Sequence, residues 1–462
     1  MTNVEFGTDG ARGPYGSEIT AHTAYRIGAA AARVIGASDF VLVQDTRPFN
    51  DELAEAVTAG LASEGVYAHN GGVLTTPAGA VLADELTRES GKFFAAISLS
   101  ASHNPQEDAG IKVFGVGGVK LDDAETRQLE AAANDTRSRV RVTGAPTKVV
   151  PMEALYQRYI GYLLGTVEPD LREHRFLSGR SIVVDAANGA AYRSAPHVLE
   201  LLGATVETMH VDPNAEINKD SGATHIDPML ARARQVAAYY AVALDGDADR
   251  HIGYDVKSDR VIDGDDALAI AALLMMRNGQ RPKGVVFTGY SNLGLQYLME
   301  GLGLPYHETA NGDRYVLEAM RTHDLPLGGE YTGHTLYGNV AKRNGTVLTG
   351  DGTVTALQNL QAAAKLERSP GQISSWPKLP HVLISIDLPK GVNAKEIMGR
   401  EHVVTRLGEL ASGYKSEGIL LIRASGTQPV IRILARGKNQ NSQDSTDNVV
   451  GEVAALLSET AA

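Results

Sequence analysis

Short apolar runs separated by polar, glycine-containing stretches recur along the chain. Phe40-Val41-Leu42-Val43, Phe93-Phe94-Ala95-Ala96-Ile97, Ser181-Ile182-Val183-Val184-Asp185, Ala241-Val242-Ala243-Leu244 and Gly284-Val285-Val286-Phe287-Thr288 are compact runs with polar flanks, the pattern of a buried strand. Helical spacing fills the intervals near 20–36, 51–63 and 191–202. Strands alternating with helices predict an α/β chain with mainly parallel sheets covered on both faces. Three apolar strands, near 41, 181 and 284, each lead through a polar loop to a helix that ends in glycine, at Gly65, Gly203 and Gly303. This spacing predicts a threefold repeat of one α/β unit. From about 374 the order changes to a strand at 382–386, a helix at 394–411, strands at 418–422 and 430–434, and a last helix. That is an α+β order.

Composition narrows the class. The 462 residues suffice for three or four domains, and 43% hydrophobic with 21% charged residues is ordinary for a globular chain. A net charge of -12 argues against nucleic acid and acidic membrane as partners. With no cysteine there is no disulfide and no thiolate nucleophile. The first residues lack a basic and apolar leader, and no apolar run approaches the ~18 residues of a membrane span. The expected location is the cytoplasm.

Candidate chemistry lies in four loops. Ser98-Leu99-Ser100-Ala101-Ser102-His103-Asn104-Pro105 follows an apolar strand, and Asn-Pro stops regular structure. Ser102 is therefore expected on an exposed loop at the carboxyl end of a strand, where α/β sheets bind ligands. Asp245-Gly246-Asp247-Ala248-Asp249-Arg250 follows another strand, and its alternate carboxylates can converge on a hard cation such as Mg²⁺. An EF-hand fails here, because its glycine and glutamate positions hold Arg250 and Val256. An aspartyl phosphatase of the haloacid-dehalogenase type also fits poorly, since its D-x-D normally continues to Thr or Val. Gly329-Glu330-Tyr331-Thr332-Gly333-His334 and Arg423-Ala424-Ser425-Gly426-Thr427-Gln428-Pro429 complete the set. The second of these offers an Arg, two hydroxyls and a glycine N–H suited to a phosphate. Taken singly, each string reads as a turn; the pairing of the serine and aspartate loops changes that reading.

A-S-H-N-P followed by G-I-K-V-F, together with D-G-D-A-D-R, resembles the α-D-phosphohexomutase superfamily. The opening Phe6-Gly7-Thr8-Asp9-Gly10-Ala11-Arg12-Gly13 and the stretches at 218–225, 291–295 and 312–318 are similar to its phosphoglucosamine mutase branch. The resemblance covers nearly the whole chain. It implies three α/β domains, with mixed, mainly parallel sheets, plus a C-terminal α+β domain, arranged around a central cleft. The boundaries expected are 1–152 with the phosphoserine loop, 153–255 with the metal loop, 256–368 with the sugar-specificity loop, and 374–462 for phosphate binding. A linker near 369–378 would let the last domain act as a lid.

The resemblance also assigns roles. Ser102 matches the phosphorylated serine, and Asp245, Asp247 and Asp249 match the ligands that hold Mg²⁺ with it. Lys112, set apart from Ile111 and Val113 by strand alternation, matches a lysine that helps proton transfer; His103 is a second candidate. Arg250 would contact the same phosphoryl group, and Arg12 offers a donor fork. Glu330, Thr332 and His334 would bind sugar hydroxyls. Arg423, Ser425, Gly426 and Thr427 would hold the substrate's own phosphate. Departures from the branch are Ala11, Ser221, Asn311, Tyr331, Thr332 and Gln428, and those at 331 and 332 touch substrate choice more than chemistry. The implied reaction converts glucosamine 6-phosphate to glucosamine 1-phosphate through a bisphosphate. A phosphomannomutase or phosphoglucomutase would share that chemistry, and a non-catalytic phosphosugar sensor would not need the serine or the carboxylates. The implied partner is a hexose or hexosamine monophosphate, and the chain is expected as a monomer or homodimer.

Overall fold

The computed structural model describes residues 3–7, 9–135, 150–389, 392–424 and 430–461. They group into two compact units, Met1–Thr288 with His307–Ser374, and Gly289–Tyr306 with Ser375–Ala462.

The first unit carries three sheets. In the first, Asp39–Gln44 lies parallel to Tyr67–Val73 and to Phe94–Leu99. Asp108–Phe114 then pairs antiparallel with Phe94–Leu99, and Ala11–Pro14 antiparallel with Asp108–Phe114. The second sheet repeats this plan. Ser181–Asp185 is parallel to Thr205–Met209 and Tyr240–Leu244, and His251–Asp255 returns antiparallel to Tyr240–Leu244. In the third, Val285–Thr288 is parallel to Leu327–Gly329, which pairs antiparallel with Thr335–Tyr337. The sheets are thus mixed, with a parallel centre and an antiparallel return. The physical reason for the return is connection length: 100–107, 245–250 and 330–334 are too short for a crossover, which takes a dozen residues or more.

The expected repeat is present in the element order. Helices Asn50–Ser63, Ser194–Leu201 and Leu293–Gly301 each follow the first of the parallel strands in a sheet. Gly65, Gly203 and Gly303 beyond them all have positive φ, the backbone that ends a helix and that glycine adopts without strain. Leu293–Gly301 falls in the second compact unit. Thr75 caps the helix Thr76–Ser90 by accepting from the Ala78 N–H, with proline in its first turn. Phe93, expected in a strand, lies outside it and is exposed.

Residues 369–374, expected as linker, are held in the first unit. Pro370–Ile373 is a short helix, and Ser369 Oγ and the Gly371 N–H both donate to Asp255 Oδ2. The second unit contains an antiparallel sheet in the order His381–Asp387, Val430–Gly437, Gly418–Ala424. The helix expected over 394–411 is two, Ala394–Met398 and Glu401–Tyr414, broken where Arg400 is extended. No helix among the described residues is long and apolar enough to cross a membrane.

Candidate active site

The three short returns of the first unit are the serine loop, the aspartate loop and the sugar loop. Each occupies the same place in its sheet, after the last parallel strand. A repeated fold therefore presents three unlike sequences at one equivalent position.

Ser102 differs from expectation in one respect: it is buried, at 2% exposure, rather than on an exposed loop. The aspartate loop covers it. Ser102 Oγ donates to Asp245 Oδ2 at 2.6 Å and lies 3.3 Å from His103 Nδ1. Its backbone is in the left-handed region, φ 54, which costs a non-glycine residue energy and needs external support. That support is visible. The Ser102 N–H donates to Ser100 Oγ, and the Ser102 carbonyl accepts from Asn218 Nδ2 at 2.8 Å. Arg47 donates to the carbonyls of Ser102, Asn104 and Pro105, and is itself ion-paired with the buried Asp45. Asn50 ties Asp45 to the Leu99 carbonyl.

Asp245, Asp247 and Asp249 converge, with one ligand oxygen from each within 4.8 Å of the others. Burial and the neighbouring Asp249 and Asp247 push the Asp245 carboxyl up to about 7. Burial also acts on Asp249, but Lys112, His334 and Arg250 outweigh it and hold that carboxyl well below its ordinary value. Asp247 Oδ2 accepts from Thr76 Oγ1 and Lys112 Nζ, each at 2.7 Å. Asp247 Oδ1 and Asp249 Oδ1 are buried with no hydrogen-bond partner. Buried carboxylate oxygens left unpaired are costly, and three hard oxygen donors fit a small divalent cation.

Lys112 is buried, not solvated, because three carboxylates surround it: Asp247 at 2.7 Å, Asp9 at 2.8 Å and Asp249 at 3.6 Å. Burial opposes its charge, but Asp247, Asp9 and Asp249 outweigh that effect and raise its pKa well above the ordinary lysine value. Arg12 pairs with Asp9. The Arg250 N–H donates to Asp245 Oδ1, and its guanidinium Nε lies 3.9 Å from Asp249.

The sugar loop sits beside this cluster. His334 Nδ1 lies 3.7 Å from Asp249 Oδ2. Burial works against its charge, but Asp249, Asp313 and Glu330 prevail and lift it to about 9, so it is an imidazolium at neutral pH. Burial pushes the Glu330 carboxyl up, and its Oε1 accepts from the Gly312 N–H at 3.0 Å. Thr332 Oγ1 is buried without a partner. Glycine at 264 lets this loop close: a Cβ there would lie 1.9 Å from the Glu330 carbonyl oxygen.

Ser102, His103, Lys112, Arg250, Arg12, Glu330, Thr332, His334 and the three aspartates all lie in the first unit. Arg423 lies in the second unit, at the end of the strand Gly418–Ala424. Ser425, Gly426 and Thr427 fall outside the described residues. Sequence reasoning missed Asp9, Asp45, Arg47, Asn50, Thr76, Ser98 and Asn218. Thr76 and Ser98 share a 2.7 Å hydroxyl contact beneath Asp247. Asp9 stood out only inside the opening string, and Asn218 only inside the stretch at 218–225. Nothing local marks Arg47.

Four domain families of phosphoglucomutase/phosphomannomutase match in order: α/β/α domain I over residues 3–140, domain II over 157–257, domain III over 263–379 and the C-terminal domain over 383–454. The chain belongs to this family. It is 37% identical to a phosphoglucosamine mutase of Methylobacterium nodulans over 465 residues, covering 99% of each chain. It is likewise 37% identical to one of Corynebacterium glutamicum over 472 residues, covering 99% of this chain and all of the other. Among solved structures, a phosphoglucomutase/phosphomannomutase family protein of Burkholderia thailandensis matches with a TM-score of 0.75 at 19% identity, covering 98% of both chains. An N-acetylphosphoglucosamine mutase of Aspergillus fumigatus in complex with GlcNAc-6P and magnesium matches with a TM-score of 0.58 at 18% identity, over 91% of this chain and 82% of that one. Both structural likenesses speak for the family's fold.

Proposed function

We infer that the chain is a phosphoglucosamine mutase, interconverting glucosamine 6-phosphate and glucosamine 1-phosphate through a phosphoserine at Ser102 and a bisphosphorylated sugar. The observation that carries the chemistry is the 2.6 Å contact between Ser102 Oγ and Asp245 across 143 residues of chain. The full-length similarity to phosphoglucosamine mutases supports the amino sugar.

In the forward step the bond from Ser102 Oγ to phosphorus breaks, and one from phosphorus to the free sugar hydroxyl forms. The proton of that hydroxyl passes to His103 Nδ1, 3.3 Å from Ser102 Oγ, and one is returned to Ser102 Oγ as it departs. Lys112, held as an ammonium, is a donor for the departing oxygen. On the return the transfers reverse: neutral Lys112 takes the serine proton back, and the His103 imidazolium protonates the departing sugar oxygen. The sugar bisphosphate turns around, and its other phosphate returns to Ser102. Asp245, Asp247 and Asp249 would hold Mg²⁺, which neutralises charge on the transferring group when bound. Arg250 adds a fixed positive charge beside the same carboxylates. His334 and Glu330 recognise the sugar: the imidazolium donates to hydroxyls, and the carboxylate favours a protonated amine. Arg423, with Ser425, Gly426 and Thr427, takes the second phosphate. Arg12 donates to the substrate from the glycine-rich opening.

The same reading divides the chain at 1–152, 153–255, 256–368 and 374–462. It takes the protein as a cytoplasmic monomer or homodimer. A Ser102→Ala variant is expected to fold and to lose turnover, and peptide mass spectrometry should find phosphate on Ser102 of the unsubstituted protein. Full activity in that variant would remove the covalent step. Assays on glucosamine, glucose and mannose 6-phosphates decide the sugar; preference for mannose or glucose would overturn the amino-sugar assignment while leaving the chemistry intact.

A further inference from the structure

Asp313 and Lys120 have no part in the chemistry above, yet they close a circuit of charge around it. Lys112 Nζ lies 3.6 Å from Asp249 and 2.8 Å from Asp9. Asp9 also pairs with Lys120 at 2.7 Å, and Lys120 pairs in turn with Asp313. Asp313 is 3.8 Å from His334 Nε2, and His334 Nδ1 is 3.7 Å from Asp249. The six groups form a ring of alternating sign that draws from all three sheets of the first unit. Five of them line a cavity of about 30 Å³, with room for roughly one water.

We propose that Lys120 and Asp313 are positioning residues of the phosphoryl-transfer site: their ion pair clasps the serine-loop and sugar-loop halves together and fixes the His334 ring between Asp313 and Asp249. The proposal rests on the function argued above. Three features support it. Asp313 begins the helix Asp313–His323, so its carboxylate stands on a rigid element. Lys120 follows the hairpin that carries Lys112, so one ammonium reaches both halves. An imidazolium with a carboxylate facing each nitrogen, at 3.7 and 3.8 Å, is biased by charge toward one ring orientation, which is what a group that must meet a sugar hydroxyl needs.

The test is kinetic. Asp313→Asn is close to isosteric and is expected to keep the fold. It is expected to raise KM for the sugar monophosphate tenfold or more while kcat changes less than threefold. Because Asp313 acts through His334, adding Asp313→Asn to His334→Gln should change KM no further than His334→Gln alone. Lys120→Met, which faces both Asp9 and Asp313, should lower kcat as well as raise KM. KM within twofold of the unsubstituted protein in Asp313→Asn, or multiplicative effects in the double variant, would overturn the clasp. A purely structural role would lower the melting temperature and leave both constants of the folded protein unchanged, and that result also overturns it. Phosphate on Ser102 is measured in the unsubstituted protein and depends on neither residue, so failure of the functional reading is distinguishable from failure of the clasp.

Discussion

Arg47 shows how one buried side chain governs a reactive one. Its guanidinium is ion-paired with Asp45 and donates to three carbonyls of the serine loop. Both members of the pair are excluded from solvent, and breaking such a pair strands a charge. Arg47→Met is expected to cost about 3–5 kcal/mol and to lower kcat, because the strained Ser102 backbone loses its tether; chemical denaturation and steady-state assays check the two effects. Asp351 is a residue of a different kind. Its carboxylate caps the helix Gly352–Leu366 and accepts from Tyr159. Burial lifts it to about 6 from 3.8, against the hydrogen bonds that lower it. A carboxyl whose folded pKa is raised stabilises the fold below its unfolded pKa and loses that contribution as pH rises through the folded value. Stability should therefore fall between about pH 4 and 6. Asp351→Asn, which can still cap, should remove that slope and recover on the order of 3 kcal/mol above pH 6, read from denaturation midpoints across pH.

At the scale of elements, the three short antiparallel returns matter most. Their shortness forces a hairpin rather than a crossover, so each loop is delivered to the same end of its sheet. Two loops then touch at Gly246, where a Cβ would lie 2.5 Å from the Ser102 carbonyl oxygen. The oxygen belongs to the backbone and the Cβ is fixed rigidly to it, so neither can swing aside. Gly246→Ala should separate Ser102 from Asp245, and a misplacement near 1 Å can cost about 10²-fold in rate. Stability should change far less than activity, since the sheets do not depend on the contact. A Gly246→Ala protein with unchanged kcat would show that the loop spacing is not what sets the rate.

For the whole molecule, the unequal division of charge gives the expectation. All three aspartates lie in the first compact unit and none in the second. A cation bound to the folded state alone stabilises by about 2.7 kcal/mol at a hundredfold excess over its Kd. Mg²⁺ should therefore raise the unfolding transition of the first unit and leave that of the second unmoved, in calorimetry with and without EDTA. Asp247→Asn should abolish the shift. A Mg²⁺ response of equal size in Asp247→Asn would place the cation elsewhere.

Much of this was written locally. Run length and polar flanks placed the strands at 41, 94, 182, 241 and 285, since a strand is legible from the few residues that form it. Gly65, Gly203 and Gly303 marked helix ends for the same reason, and the serine and aspartate strings carried the family. The helix expected over 394–411 was drawn without its break at Arg400, because apolar spacing continues across the kink. What the sequence could not decide was company. Burial of Ser102, the enclosure of Lys112 by three carboxylates, the grip of Arg47 on the serine loop and the ring through Asp313 all join residues far apart in the chain. A charged residue's state depends on which loops share its space, and only packing of the three sheets brings those loops together.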